Sequence, residues 1–221
     1  MIVSKYVEVE GASSHYLSRE EGSGENPLII MLHGFPENAH TWEALIALLP
    51  SSLDIIAPDL PGYHLSNPLP NEKDYQVPSL VNRLATFVEN VRNGRKVILV
   101  GHDWGGAIAW PLAAFYPKLI SKLIIVNAAH PSCFTYAIKV SSTQRAKSQY
   151  ICELIGEGAE LTLKNTDFAL LKNMLGKTFF EQAPRYSSQL LNDWRKPEIL
   201  AAMLNYYRQM PQQVPEENAA E

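Results

Sequence analysis

Lys96-Val97-Ile98-Leu99-Val100-Gly101-His102-Asp103-Trp104-Gly105-Gly106 is the stretch on which the reading of this chain turns. Its apolar start predicts a buried strand, and the residues from Gly105 to Tyr116 predict a helix. A strand that passes straight into a helix needs a tight turn, which forces the residue at its apex into strained backbone geometry. Small neighbours are then required, and Gly101, Gly105 and Gly106 supply them. The apex residue is Asp103. A carboxylate is already ionised and gains nothing from a base, so its natural target is an electrophilic sp3 carbon, and attack leaves an alkyl ester on the protein.

Outward from this turn, strands and helices alternate. Pro27 to Leu32 and Leu53 to Ala57 predict strands. Thr41 to Leu49 spaces Trp42, Leu45, Ile46 and Leu49 as a helix does, Leu80 to Arg92 predicts a second helix, and Leu123 to Asn127 predicts the closing strand. That order implies an α/β fold with a mostly parallel sheet and right-handed crossovers. Tyr6 to Val9 and His15 to Ser18 predict a hairpin around Gly11. After Asn127 the β-branched runs stop. Helices are predicted over Gln144 to Leu154, Asp167 to Leu175, Ser187 to Leu191 and Pro197 to Met210, with Thr166 or Asp167 capping the second and Pro197 in the first turn of the last. The organisation expected is an α/β core over 1–130, a helical part over 131–210 and a polar tail over 211–221 that frays.

Composition narrows the function. With 221 residues, 46% hydrophobic and 19% charged, the chain can bury a real core. Its formal charge of -4 comes without any Lys/Arg cluster, which argues against a nucleic-acid partner. Cys133 and Cys152 have neither the number nor the spacing for a disulfide framework or a zinc site, so both are expected as free thiols, and no cofactor or metal is expected. Lys5, Glu8 and Glu10 interrupt any signal-peptide core, and no run reaches membrane-spanning length. A cytoplasmic protein that engages no membrane is the expectation.

A second motif, His33-Gly34-Phe35-Pro36-Glu37, follows an apolar strand. Its glycine lets the backbone turn so that the Phe35 N–H and the Trp104 N–H converge on one oxygen as an oxyanion hole. Pro58 to Ser66 reads as a structural turn. At these residues the chain resembles the α/β-hydrolase fold family, and specifically its epoxide hydrolase branch, from Leu28 to Met210. His33, Gly34 and Pro36 match that branch's HGFPE motif; Gly101, His102, Gly105 and Gly106 match its GHDWGG elbow.

The resemblance implies an α/β-hydrolase fold whose helical part is a lid over the site. It also implies two lid tyrosines that donate hydrogen bonds to the oxygen of a small apolar epoxide, which is converted to a vicinal diol. Ser148-Gln149-Tyr150 places the first at Tyr150, and Leu204 to Arg208 places the second at Tyr207, with Tyr206 expected to pack. Chemistry supports the pair: the alkoxide leaving group is poor, and a phenol serves as acid without charging the pocket. Phe35, Trp104, Phe134, Phe168, Phe179 and Phe180 make an aromatic pocket plausible.

The family mechanism further implies a histidine base and an orienting acid from strands that follow the lid. The six histidines, His15, His33, His40, His64, His102 and His130, all precede that point, and Glu216 and Glu217 lie in the tail. The expectation is a family member lacking its last strands and its hydrolytic half, with an exposed sheet edge that invites self-association. Two alternatives stay open. One is a haloalkane or haloacid dehalogenase using Asp103 but needing halide donors in place of the tyrosines. The other is a catalytically incomplete binding or interaction module.

Overall fold

The computed structural model describes residues 1–19 and 26–210, so the expected polar tail over 211–221 lies outside the described residues. Six strands form one sheet: β1 (Val3–Val9), β2 (Ala12–Arg19), β3 (Leu28–Leu32), β4 (Ile55–Pro58), β5 (Val97–His102) and β6 (Ile120–Val126). Their spatial order is β1-β2-β4-β3-β5-β6. β1, β2 and β4 pair antiparallel, while β4, β3, β5 and β6 run parallel. The chain leaves β3 toward β4 on one side and returns to β5 on the other. Clefts that bind ligands form at the carboxyl ends of strands where the order switches in this way.

Alternation along the central strands divides their side chains between two cores. Leu28, Ile30, Leu32, Ile56, Val97 and Leu99 face one side, while Ile29, Met31, Ile55, Ala57 and Val100 face the other, where Trp42 and Ile46 cover them. Crossovers are a 3-10 turn Ala39–Trp42 leading into α1 (Glu43–Leu48), then α2 (Val77–Val91) and α3 (Trp104–Phe115). Along α2, Leu80, Val81, Leu84, Ala85, Phe87 and Val88 form one buried stripe. β6 lies at the sheet edge and leaves Ile124 48% and Val126 42% exposed.

The rest is helical: α4 (Pro131–Val140), α5 (Ser142–Lys147), α6 (Tyr150–Ile155), α7 (Ala159–Asn165), α8 (Ala169–Leu175), α9 (Lys177–Gln182), α10 (Pro184–Trp194) and α11 (Pro197–Arg208). α11 is the element that joins these helices to the sheet. Its Leu200, Met203, Leu204, Tyr206 and Tyr207 lie in the same buried cluster as Leu32, Phe35, Tyr63 and Trp104.

Several expectations need correction. The single helix expected over Gln144 to Leu154 is two. The Ser148 N–H donates to both the Gln144 and Arg145 carbonyls at 3.0 Å, and its hydroxyl accepts from Gln144 Nε2 at 3.0 Å, a local side-chain alternative to continuing the helix. α8 starts at Ala169 rather than Asp167 because Asp167 and Phe168 both adopt positive φ. Thr166 does not cap it; its hydroxyl bonds back to the Thr162 and Leu163 carbonyls and closes α7. Leu45, expected inside, is exposed on α1. The short helices α4, α7 and α9 went unexpected, since segments of this length are stabilised by packing rather than by their own propensity. Pro197 does occupy the first turn of α11.

Candidate active site

Asp103 sits at the apex between β5 and α3 with φ 50° and ψ -119°, a conformation that only tight packing holds in a residue with a side chain. The packing is severe. A Cβ on Gly101 would meet the Gly105 oxygen at 2.6 Å, and one on Gly105 would lie 2.5 Å from the Leu32 and His33 carbonyl oxygens. The Gly105 N–H donates to the His33 carbonyl at 3.0 Å, tying the start of α3 to the loop after β3. Register does the rest: Leu32 pairs with Gly101, so the His33–Glu37 loop and Asp103 leave adjacent strand ends.

Of the two backbone donors expected as an oxyanion hole, the Phe35 N–H reaches the carboxylate of Asp103 itself, donating to Oδ1 at 2.8 Å. Burial raises the Asp103 pKa, and the backbone N–H groups of Phe35 and Trp104, with the charge of His102, only partly offset that. One oxygen of a half-buried carboxylate is thereby fixed.

Tyr207 stands edge-on to both donor residues, 4.9 Å from the Phe35 ring and 5.3 Å from the Trp104 ring. Tyr150 meets Tyr207 edge to face at 6.1 Å between ring centroids. Burial first, then the negative charge of Asp103, pushes both phenols above their ordinary pKa, so they stay protonated donors. The structure thus brings Asp103, Phe35, Trp104, Tyr150 and Tyr207 together. Tyr206 packs, fully buried, and its hydroxyl donates to the Pro61 carbonyl at 2.9 Å.

The histidines serve elsewhere. His33 is buried; its Nε2 accepts from the Leu60 N–H at 2.9 Å and its Nδ1–H donates to the Gly34 carbonyl at 3.0 Å. Burial lowers its pKa to about 4, consistent with a neutral ring that pins the loop. His130 caps α4 by accepting from the Ser132 N–H. His15 pairs with Asp59, His40 with Glu43 and His64 with Asp193. His102 is half-buried at the end of β5, opposite Val126 of β6.

Two further residues flank the site, Glu37, read only as part of its motif, and Tyr63, which the sequence reading passed over. Glu37 accepts from the Thr41 hydroxyl at 2.7 Å, and burial, with the nearby charge of Asp103, raises its pKa. Its place in the HGFPE motif was the available signal. Tyr63, in a segment read as a structural turn, packs its ring 4.9 Å from His33 beneath the loop. Phe134, Phe179 and Phe180 are partly buried against the main core, and Phe168 stacks on Trp194 at 5.9 Å inside the helical part. Among the described residues no group of three His, Cys, Asp or Glu side chains is placed to hold a metal, and no helix is long and apolar enough to cross a membrane. Neither Cys133 nor Cys152 forms a disulfide among the described residues.

The sequence model of the family described as alpha/beta hydrolase fold matches residues 27–219. AB hydrolase superfamily protein YfhM of Bacillus subtilis (strain 168) is 32% identical over 212 residues, 92% of this chain and 72% of that protein. Epoxide hydrolase 4 of Mus musculus is 31% identical over 217 residues; this chain spans 58% of its length. A solved structure from work on epoxide hydrolases of the alpha/beta hydrolases superfamily in metagenomes from hot environments superposes with a TM-score of 0.84 at 30% identity. That superposition covers 99% of this chain and 74% of the other.

Proposed function

This chain belongs to the alpha/beta hydrolase fold family, and from that premise we propose that its site opens epoxides by nucleophilic attack of Asp103. The observation that carries the reading is the convergence of one half-buried carboxylate, held at Oδ1 by the Phe35 N–H, with a pair of protonated phenols whose rings meet edge to face. In the first half-reaction the free Asp103 oxygen attacks a ring carbon and the C–O bond breaks. The electron pair leaves on the epoxide oxygen, which takes a proton from the Tyr150–Tyr207 pair. The product is a hydroxyalkyl ester of Asp103.

In the second half-reaction water attacks the ester carbonyl carbon. Negative charge then develops on Oδ1, the oxygen that the Phe35 N–H faces. That step needs a base to take the water's proton. Within these 221 residues five histidines are committed to pairs, caps or the loop, and His102 belongs to the elbow. Our reading is therefore that this chain by itself carries out alkylation and retains the ester. The relatives named epoxide hydrolases and the tyrosine pair favour an epoxide over a haloalkane as the electrophile. Pairing of β6 edges from two copies is part of the same reading, supported by the exposed Ile124 and Val126. A monomer by sedimentation at all concentrations counts against that pairing.

Intact mass measurement of the 221-residue chain after incubation with aryl and alkyl epoxides tests the reading. The expected result is a gain of one substrate mass on the peptide containing Asp103, absent in Asp103→Ala. An unchanged mass, or equal labelling of Asp103→Ala, overturns it. Chloride release from haloalkanes with no epoxide labelling assigns the site to dehalogenation.

A further inference from the structure

Tyr63 is a third phenol beside the nucleophile. It is 1% exposed, with its ring 4.9 Å from His33 and 5.3 Å from Tyr206, in the same buried cluster as Phe35, Trp104 and Tyr207. Its neighbours' hydroxyls are engaged: Tyr75 accepts from the Leu69 N–H at 2.8 Å and Tyr206 donates to Pro61. The Tyr63 hydroxyl has no hydrogen-bond partner among the described residues. It also lies within the electrostatic reach of the Asp103 carboxylate and of the Tyr207 hydroxyl.

A buried O–H that bonds to nothing costs free energy, and nearly all such groups in folded proteins are satisfied. Where protein atoms do not satisfy them, an internal water does, provided it finds two to four polar partners. Asp103 and Tyr207 are polar groups within electrostatic reach of Tyr63, and Phe35 occupies only one of the about four acceptor sites of the carboxylate.

We propose that the Tyr63 hydroxyl holds a buried water molecule that hydrogen-bonds the Asp103 carboxylate, which makes Tyr63 a positioning residue for the nucleophile. The proposal rests on the assignment of Asp103 as nucleophile. A relayed donor favours the ionised carboxylate and works against the effect of burial, so it keeps the nucleophile charged at lower pH. The other polar side chains of the Pro58–Ser66 turn are engaged, Asp59 by His15 and the Ala39 N–H, His64 by Asp193, and Ser66 by the His15 N–H and the Asp59 carbonyl.

Tyr63→Phe in the 221-residue chain tests this through the Asp103 titration, followed by NMR of carboxyl-labelled aspartate, which needs no substrate. The expected result is an Asp103 titration displaced upward by about one pH unit, equivalent to a tenfold loss of ionised carboxylate on the acid limb. The acid limb of epoxide labelling should move with it while the rate at high pH holds. Tyr206→Phe, which loses only a bond to the Pro61 carbonyl, should leave the titration in place. A Tyr63→Phe titration that coincides with that of the unchanged chain overturns the proposal. If Tyr63→Phe does not fold, water-selective magnetisation transfer to the Tyr63 ring in the unchanged chain decides: transfer from a long-lived water supports the proposal, and its absence overturns it. Failure of every epoxide to label Asp103 counts against the nucleophile assignment and leaves the titration result standing.

Discussion

Gly34 lies so close against Asp103 that a methyl group on it would sit 2.4 Å from Asp103 Cβ and 2.8 Å from Oδ1. No side chain fits there, so the glycine of the loop after β3 and the apex of the elbow are shaped for one another. Gly34→Ala should push the carboxylate away from the Phe35 N–H. Displacement by about 1 Å of a reacting group costs on the order of 10^2 in rate. Timed mass measurement of epoxide labelling checks this, with circular dichroism to confirm a retained fold; labelling at the original rate contradicts it.

Gly106 faces Ala128 in the same way, with 2.3 Å from a built Cβ to the Ala128 methyl and a far milder squeeze against the Gly101 carbonyl oxygen at 3.3 Å. Gly106→Ala should destabilise by about 1–3 kcal/mol through overpacking. Because one methyl group causes the clash, Gly106→Ala with Ala128→Gly should recover most of that loss. Urea unfolding of the single and double variants measures the coupling, and simple additivity of the two effects is the contrary result.

Tyr150 and Tyr207 meet edge to face with their rings 6.1 Å apart, so either can take over part of the other's role. Each single change to Phe should slow labelling about tenfold, and the double change by about 10^2–10^4, the range attributed to a positioned acid. Unaltered labelling in the double variant would remove the phenols from the mechanism.

Asp103 has a carboxyl pKa raised above 3.8 by burial, despite the backbone N–H groups of Phe35 and Trp104. A carboxyl group that binds its proton more tightly in the folded state makes ionisation costly to stability. That cost is present above the folded pKa and disappears as the pH falls below the unfolded one. Asp103→Asn should therefore melt higher than the unchanged chain at pH 7, at about 2–4 °C per kcal/mol gained for a chain of this size, and the difference should shrink toward pH 4. The variant should not be labelled. Calorimetry at the two pH values gives the answer; a lower Tm at pH 7 is the contrary result.

His64 joins the turn after β4 to α10: its Nδ1–H donates to Asp193 Oδ2 at 2.6 Å. Burial disfavours the imidazolium, but the hydrogen bond to Asp193 and the charges of Asp59 and Asp193 outweigh it. Lys196 opposes them, and the net pKa is raised above 6.5. For a base with a raised folded pKa, the stabilisation is complete below the unfolded value of 6.5 and is lost as pH rises through the folded one. The contact between α10 and the core should weaken as the pH rises from about 6.5 through that raised value. Hydrogen exchange in α10 should quicken over that window in the unchanged chain and be fast and nearly flat in His64→Gln.

Local rules made much of this protein legible. Apolar runs of four to six residues, alternating with helical spacing, marked β3 to β6 and α2, and the glycines around Asp103 marked the elbow, because a strand-to-helix turn is a short-range constraint written in adjacent residues. The tyrosine pair was reached through the family pattern; the contact of the two rings across 57 positions, from Tyr150 to Tyr207, has no local signature. The same holds for Phe35 and Asp103, separated by 68 positions, whose meeting depends on the parallel register of β3 with β5. Burial is likewise a property of the assembled molecule: nothing around Tyr63 in the chain announces an O–H sealed in the core, and nothing around His64 announces Asp193, 129 positions away. Sequence spacing specifies which elements form and which backbone turns they require. The partner of each charge and each hydroxyl was decided by the packing of the sheet against α10 and α11, since desolvation and hydrogen bonding depend on distance in space and not on distance along the chain.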